Sequence, residues 1–157
     1  MTDPKRDLLR HTLATVAYRA GKTLRGATPE FAQFQGAGRP PIQILAHMGD
    51  LFDWALSVAQ GDQKWRNSEP LPWDREVERF FASLAAFDAY LASDEPINVP
   101  IEKLFQAPVA DALTHTGQLA MLRRLAGCPM RGENYFAAEV ALGRVGIDQT
   151  APSKEFA

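Results

Sequence analysis

Apolar side chains recur in this chain at steps of three and four residues, and nowhere in a sustained alternation. That spacing places them on one face of an α-helix and leaves no strand pattern to build a sheet from. Leu9, Leu13, Val16, Ala17, Ala20 and Leu24 mark a first helix over about residues 5–25, with Gly26 where a C-terminal stop belongs. A second, over about residues 41–59, opens at Pro40-Pro41 and carries the stripe Ile44, His47, Leu51, Trp54 and Val58. A third, over about residues 74–92, starts at an Asp74 cap and aligns Val77, Phe80, Phe81, Leu84, Phe87 and Leu91. Pro108 suits the first position of a fourth, which ends near Gly127.

Shorter segments fill the gaps. Thr28-Pro29-Glu30 can cap a single turn, the two prolines of residues 93–100 mark a linker, and Ile101–Gln106 has room for one turn. Past Pro129 a short helix around Gly132–Leu142 is expected, then an irregular end. Four principal helices within 157 residues predict an all-α fold, a four-helix bundle in one domain spanning residues 1–157 with a short extra C-terminal helix. The segments before the second and third helices have about 14 residues each. At ~3.3 Å per residue they can span a ~30 Å helix, so long crossovers are allowed.

Composition removes several function classes. A net charge of -2 with no basic stripe gives no case for nucleic acid. No apolar run approaches the ~20 residues needed to cross a bilayer, and the N-terminus has no signal-peptide core. The single cysteine, Cys128, excludes an internal disulfide framework and a thiolate-rich zinc site. The expectation is a cytoplasmic protein.

Two histidines and an aspartate carry the chemistry. Asp111 and His115 are four residues apart and therefore share one helix face, while His47 sits on a separate striped helix. Packed side by side, two such helices can gather two imidazoles and one carboxylate around a divalent ion such as zinc, nickel, iron or manganese. Three protein ligands leave a position for water or substrate. The plainer reading stays open beside it. Asp111 lies in a first turn, where the helix dipole favours a carboxylate, and either histidine can be a core residue bonded to a carbonyl or an acid. His11 aligns with Thr15, Tyr18 and Lys22 on a polar face, which suits a surface or rim position better than ligation. Asp50 and Asp53 follow His47 on its helix, and Asp50 is a candidate acceptor for a ligand histidine.

The stretches ILAHMGDLFDW and DALTHTGQLAMLRRLAG resemble the DinB-like superfamily of four-helix metal-site proteins, most specifically at Thr114-His115-Thr116-Gly117-Gln118, Leu122-Arg123 and Gly127. The resemblance covers most of the chain. It implies an up-down-down-up bundle and a divalent metal, with His47 as the ligand from the second helix and His115 as the second member of the pair on the fourth. Asp111 stands where that family usually has a histidine, and Pro108 stands where a longer fourth helix is expected. The resemblance further implies a thiol transferase or hydrolase that uses a metal-activated thiol or water, with a low-molecular-weight thiol or another small molecule as partner. The alternative is a non-catalytic binding or stress-related protein, or a homodimeric interaction module joined through a face rich in Phe80, Phe81 and Phe87.

The remaining signals read as structural. Gly36-Ala37-Gly38-Arg39 lacks the lysine and hydroxyl of a phosphate loop and is expected to be a plain turn. Arg131-Gly132-Glu133-Asn134-Tyr135 can fold over a bundle mouth, where surface capping is the simpler role for Glu133. Arg123 and Arg124 suit a helix C-terminus, and Cys128 has no activating neighbour in sequence.

Overall fold

A computed structural model describes residues 3–157, which form an all-helical chain. Helix α1 spans Pro4–Leu24, α2 is one turn at Pro29–Ala32, α3 spans Pro41–Ala59 and α4 spans Trp73–Ala92. A further turn, α5 at Ile101–Leu104, runs through a π-helical segment, Phe105–Val109, into α6 at Ala110–Leu125. Among the described residues no strand forms, and a lone antiparallel bridge joins Glu133 to Glu155.

Local chemistry accounts for most of the boundaries. Asp3 caps α1 by accepting the Lys5 backbone N–H at 2.9 Å. Proline occupies the first turn of α1, α2 and α3, where a missing N–H costs nothing. Gly26 and Gly61 follow α1 and α3 at φ +73° and +82°, a conformation open to glycine without strain.

Three expectations need correction. Asp74 does not cap α4, which begins at Trp73 after Pro72; Asp74 lies in its first turn, where a carboxylate faces the positive end of the helix dipole. Pro108 does not open the fourth helix; it lies inside a helical run that continues from Ile101 to Leu125. Its ring would press on the carbonyl one α-turn earlier and its missing N–H would leave that carbonyl open, and the wider π turn accommodates both defects. The C-terminal helix expected around Gly132–Leu142 is absent. Only a 3-10 turn forms at Tyr135–Ala137, because the flanking backbone pairs elsewhere: Asn134 N–H donates to the Lys154 carbonyl and Phe156 N–H to that of Gly132, each at 2.9 Å.

The long helices pack in a closed circuit, α1 on α4, α4 on α3, α3 on α6 and α6 on α1. Their directions follow from which residues meet. Arg10 of α1 binds Asp88 of α4 at 2.9 Å while Gly21 lies beside Phe81, so these two helices run oppositely. Arg79 near the start of α4 donates to the Ala46 carbonyl of α3 at 3.2 Å, and Asn98 beyond the end of α4 donates to that of Ala59, so α3 and α4 run the same way. Arg123 near the end of α6 donates to the carbonyls of Thr23 and Arg25 at 2.8 and 2.7 Å, while Lys5 and Glu102 pair at the other end. Thus α1 and α6 also run the same way. Arg123 therefore ties two helix ends together, beyond the dipole role its position suggests.

Inside the circuit, Leu13, Leu45, Met48, Phe52, Phe80, Leu84 and Phe87 are fully buried, each contributing roughly 1.5–3 kcal/mol relative to exposure. Phe80, Phe81 and Phe87 are buried in this core, and Phe80 and Phe87 flank Phe52 with ring centroids 6.0 and 6.4 Å away. No described helix is long and apolar enough to cross a membrane.

Candidate metal centre

Where α3 passes α6, His47, Asp111 and His115 come together, each offering one ligand atom within 4.8 Å of the others. The α-helical repeat restored after the π segment stacks Asp111 under His115, and antiparallel packing brings His47 across from both. His47 Nε2 and His115 Nε2 lie 3.3 and 3.4 Å from the same oxygen, Asp111 Oδ2. The imidazoles stand edge to face, with centroids 4.9 Å apart and planes at 87°.

These distances are long for hydrogen bonds, whose N···O mode is about 2.9–3.0 Å. They match the edge of a tetrahedron whose bonds are ~2.1 Å, about 3.4 Å, the size expected for nitrogen and oxygen ligands on a zinc-sized ion. The third edge, between the two imidazoles, is at most 4.8 Å. The donor set also fits in chemistry, since imidazole and carboxylate suit borderline divalent metals.

The surroundings orient the ligands. Gln118 Oε1 lies 2.7 Å from His115 Nδ1, so a proton held on Nδ1 is donated to the amide and the Nε2 lone pair faces Asp111. Burial pushes the His47 pKa below its ordinary value, partly opposed by the Asp111 contact and reinforced by the charges of His115 and Arg39. A neutral imidazole is the form a metal binds. The site opens to solvent on the carboxylate side: the Asp111 side chain is 42% exposed, against 21% for His47 and 9% for His115.

One wall comes from the segment joining α3 to α4. Because those helices run the same way, residues 60–72 must travel back along α3, and they touch it in reverse order. Lys64 N–H donates to Ser57 Oγ at 3.0 Å, then the Trp65 indole packs on Trp54 and His47 with centroids 6.0 and 5.6 Å away. Next, Ser68 donates its backbone N–H and hydroxyl to Asp50 at 2.8 and 2.7 Å. Asp50 thus holds the crossover, and Arg79 holds Asp50 while also donating to Glu76 at 2.8 Å and Asp53 at 3.3 Å. Burial disfavours the Arg79 charge, but its carboxylate partners reverse this and raise its pKa.

The outlying candidates fall elsewhere. His11 is exposed on α1 and outside the cluster. Glu133 clamps the C-terminal tail to α1: its buried carboxylate accepts from Lys22 Nζ at 2.7 Å and from the Tyr18 hydroxyl, and Lys22 also reaches Glu155 at 2.8 Å. Burial and the adjacent Glu133 hold the Tyr18 pKa well above the ordinary phenol range. Cys128 is half-buried, with its carbonyl accepting from Arg123 Nε at 2.8 Å. Trp65, Gln118 and Arg39 are the neighbours that sequence reasoning missed. The Thr114–Gln118 run pointed to Gln118, three residues after His115, whereas nothing local pointed to Trp65.

Compared with family models, with curated proteins and with solved structures, the chain matches none.

Proposed function

We propose that this chain is a DinB-like four-helix bundle of up-down-down-up order that binds one divalent metal ion through His47, Asp111 and His115. The observation that carries the reading is the convergence of three ligand atoms on an opening to solvent, with two of their separations already at the ligand spacing of a tetrahedral site. The helix directions agree with that order, and the helical run through the π segment supplies the longer fourth helix that the resemblance calls for.

When bound, such an ion acidifies a small thiol or a water, making an anionic nucleophile available near neutral pH. The chain's own residues set the conditions for it. Gln118 fixes the His115 tautomer, Asp111 contributes the negative charge, and Trp65, itself packed on Trp54, covers His47 on one side. The activity proposed is transfer of, or hydrolysis by, that nucleophile on a small molecule.

Elemental analysis of protein purified without a metal-affinity tag, beside D111A and H115A, tests the reading. Near-stoichiometric metal in the wild type and its loss from both variants is the expected result. Metal-free protein whose unfolding temperature also ignores added zinc, nickel, iron and manganese overturns it.

A further inference from the structure

A groove of about 500 Å³ runs beside the C-terminal half of α6, next to the candidate centre but not lined by its three ligands. Ile44, Met121, Leu122 and Leu125 form its apolar wall, with Met121 and Leu125 52% and 60% exposed. Its inner end is Gln118, the residue bonded to His115. Its outer lip is the turn Ala37–Arg39, and Arg39 also borders the polar cleft containing His47. Arg39 shares that cleft with His47, is exposed, and among the described residues makes no ion pair. Glu69 lines the same cleft but is not paired with it.

An exposed, unpaired guanidinium that borders both an apolar trough and the cleft of His47 suits one kind of molecule. A guanidinium recognises a carboxylate through paired N–H donors, and the trough removes an attached hydrocarbon from water. The volume falls in the range of small-molecule sites, ~300–1,000 Å³. We infer that the substrate is a small carboxylate with an apolar tail, its carboxylate on Arg39 and its tail between Ile44 and the Met121–Leu125 face. The groove's role as a substrate site rests on the proposed metal-centred activity; the binding itself does not.

The test uses octanoate as probe, with acetate and 1-octanol as the tail-less and charge-less controls. Binding is titrated by calorimetry into metal-free and zinc-supplemented wild-type protein, R39A and M121S/L125S, with circular dichroism confirming that each variant folds. Octanoate should bind in both metal states, at least tenfold more tightly than either control. R39A should weaken octanoate about tenfold while leaving 1-octanol unchanged, and M121S/L125S should weaken both tailed probes. Equal affinity for octanoate in R39A and wild type overturns the inference, as does binding seen only with zinc, which would place the carboxylate on the metal. No binding of octanoate to any form overturns it too. Failure of the metal reading alone has a different signature, since octanoate then still binds and zinc changes nothing.

Discussion

Replacing Asp50 with alanine tests whether the crossover is held onto α3 by that one carboxylate. The side chain is nearly buried and accepts from the Ser68 backbone and hydroxyl and from Arg79. Truncation leaves the two Ser68 donors without their charged partner. Hydrogen bonds to a charged group contribute about 1.5–3 kcal/mol each, and with Ser68 half-buried the lower end applies, giving about 3 kcal/mol for the pair. The Arg79 contact adds little. The guanidinium keeps Glu76 and Asp53, and removing one of three carboxylates around a single cation relieves their mutual repulsion. For a chain of this size, a loss of about 3 kcal/mol lowers Tm by about 6–12 °C. Thermal unfolding of metal-free protein, followed by circular dichroism and by tryptophan fluorescence, measures it. S68A, which deletes only the hydroxyl donor, should cost about 1.5 kcal/mol and couple with D50A in a double-mutant cycle. A D50A shift below about 1 °C, with no coupling to S68A, would refute the reasoning.

Three further outcomes are expected. Gln118→Leu should fold normally and lower metal affinity about 10- to 100-fold, as measured by competition with a chromophoric chelator; unchanged affinity would remove Gln118 from the orienting role. In metal-free protein, the depressed His47 pKa means that the folded state binds this proton less readily than the unfolded chain. The urea midpoint should therefore fall as pH drops through 6.5 toward the lower folded value, and H47Q should flatten that slope. Glu133→Ala should destabilise the protein by about 2–4 kcal/mol, less than the loss of an isolated buried partner because Glu155 still faces Lys22, and should open residues 129–157 to limited proteolysis.

The first helix could be read from spacing because its two faces differ: Leu9, Leu13, Val16, Ala17, Ala20 and Leu24 are all buried, and the polar positions between them are mostly not. For the second helix of the sequence, α3, the stripe Ile44, His47, Leu51, Trp54 and Val58 lies to one side of the true centre. Leu45, Met48, Phe52, Ala55 and Ala59 are its deepest positions, whereas His47 and Trp54 lie at the edge of the core. Most residues of α3 are apolar, so periodicity alone does not choose between adjacent stripes. That offset placed His47 correctly beside a cleft for an incomplete reason. His47, Asp111 and His115 could be grouped from spacing and helix pairing, but Trp65 reaches the site through a crossover whose path depends on α3 and α4 running the same way. Arg39 was passed over because the turn that carries it has no chemistry of its own, and its placement comes from packing. The tail misled for a related reason, since Glu133 and Glu155 are drawn together by Lys22 on a helix more than a hundred residues earlier.

The π turn at Phe105–Val109 has a consequence for how this helix could have arisen. One residue advances an α-helix by about 100°, so a turn that takes in one residue more re-aims everything after it by that angle. The portion before it is phased by α1, against which Leu104 is buried, and the portion after it by α3, toward which Asp111 and His115 must point. A straight helix would have to satisfy both neighbours with a single phase. Insertion of one residue uncouples the two halves, allowing the ligand-bearing half to change its aim without disturbing the scaffold half.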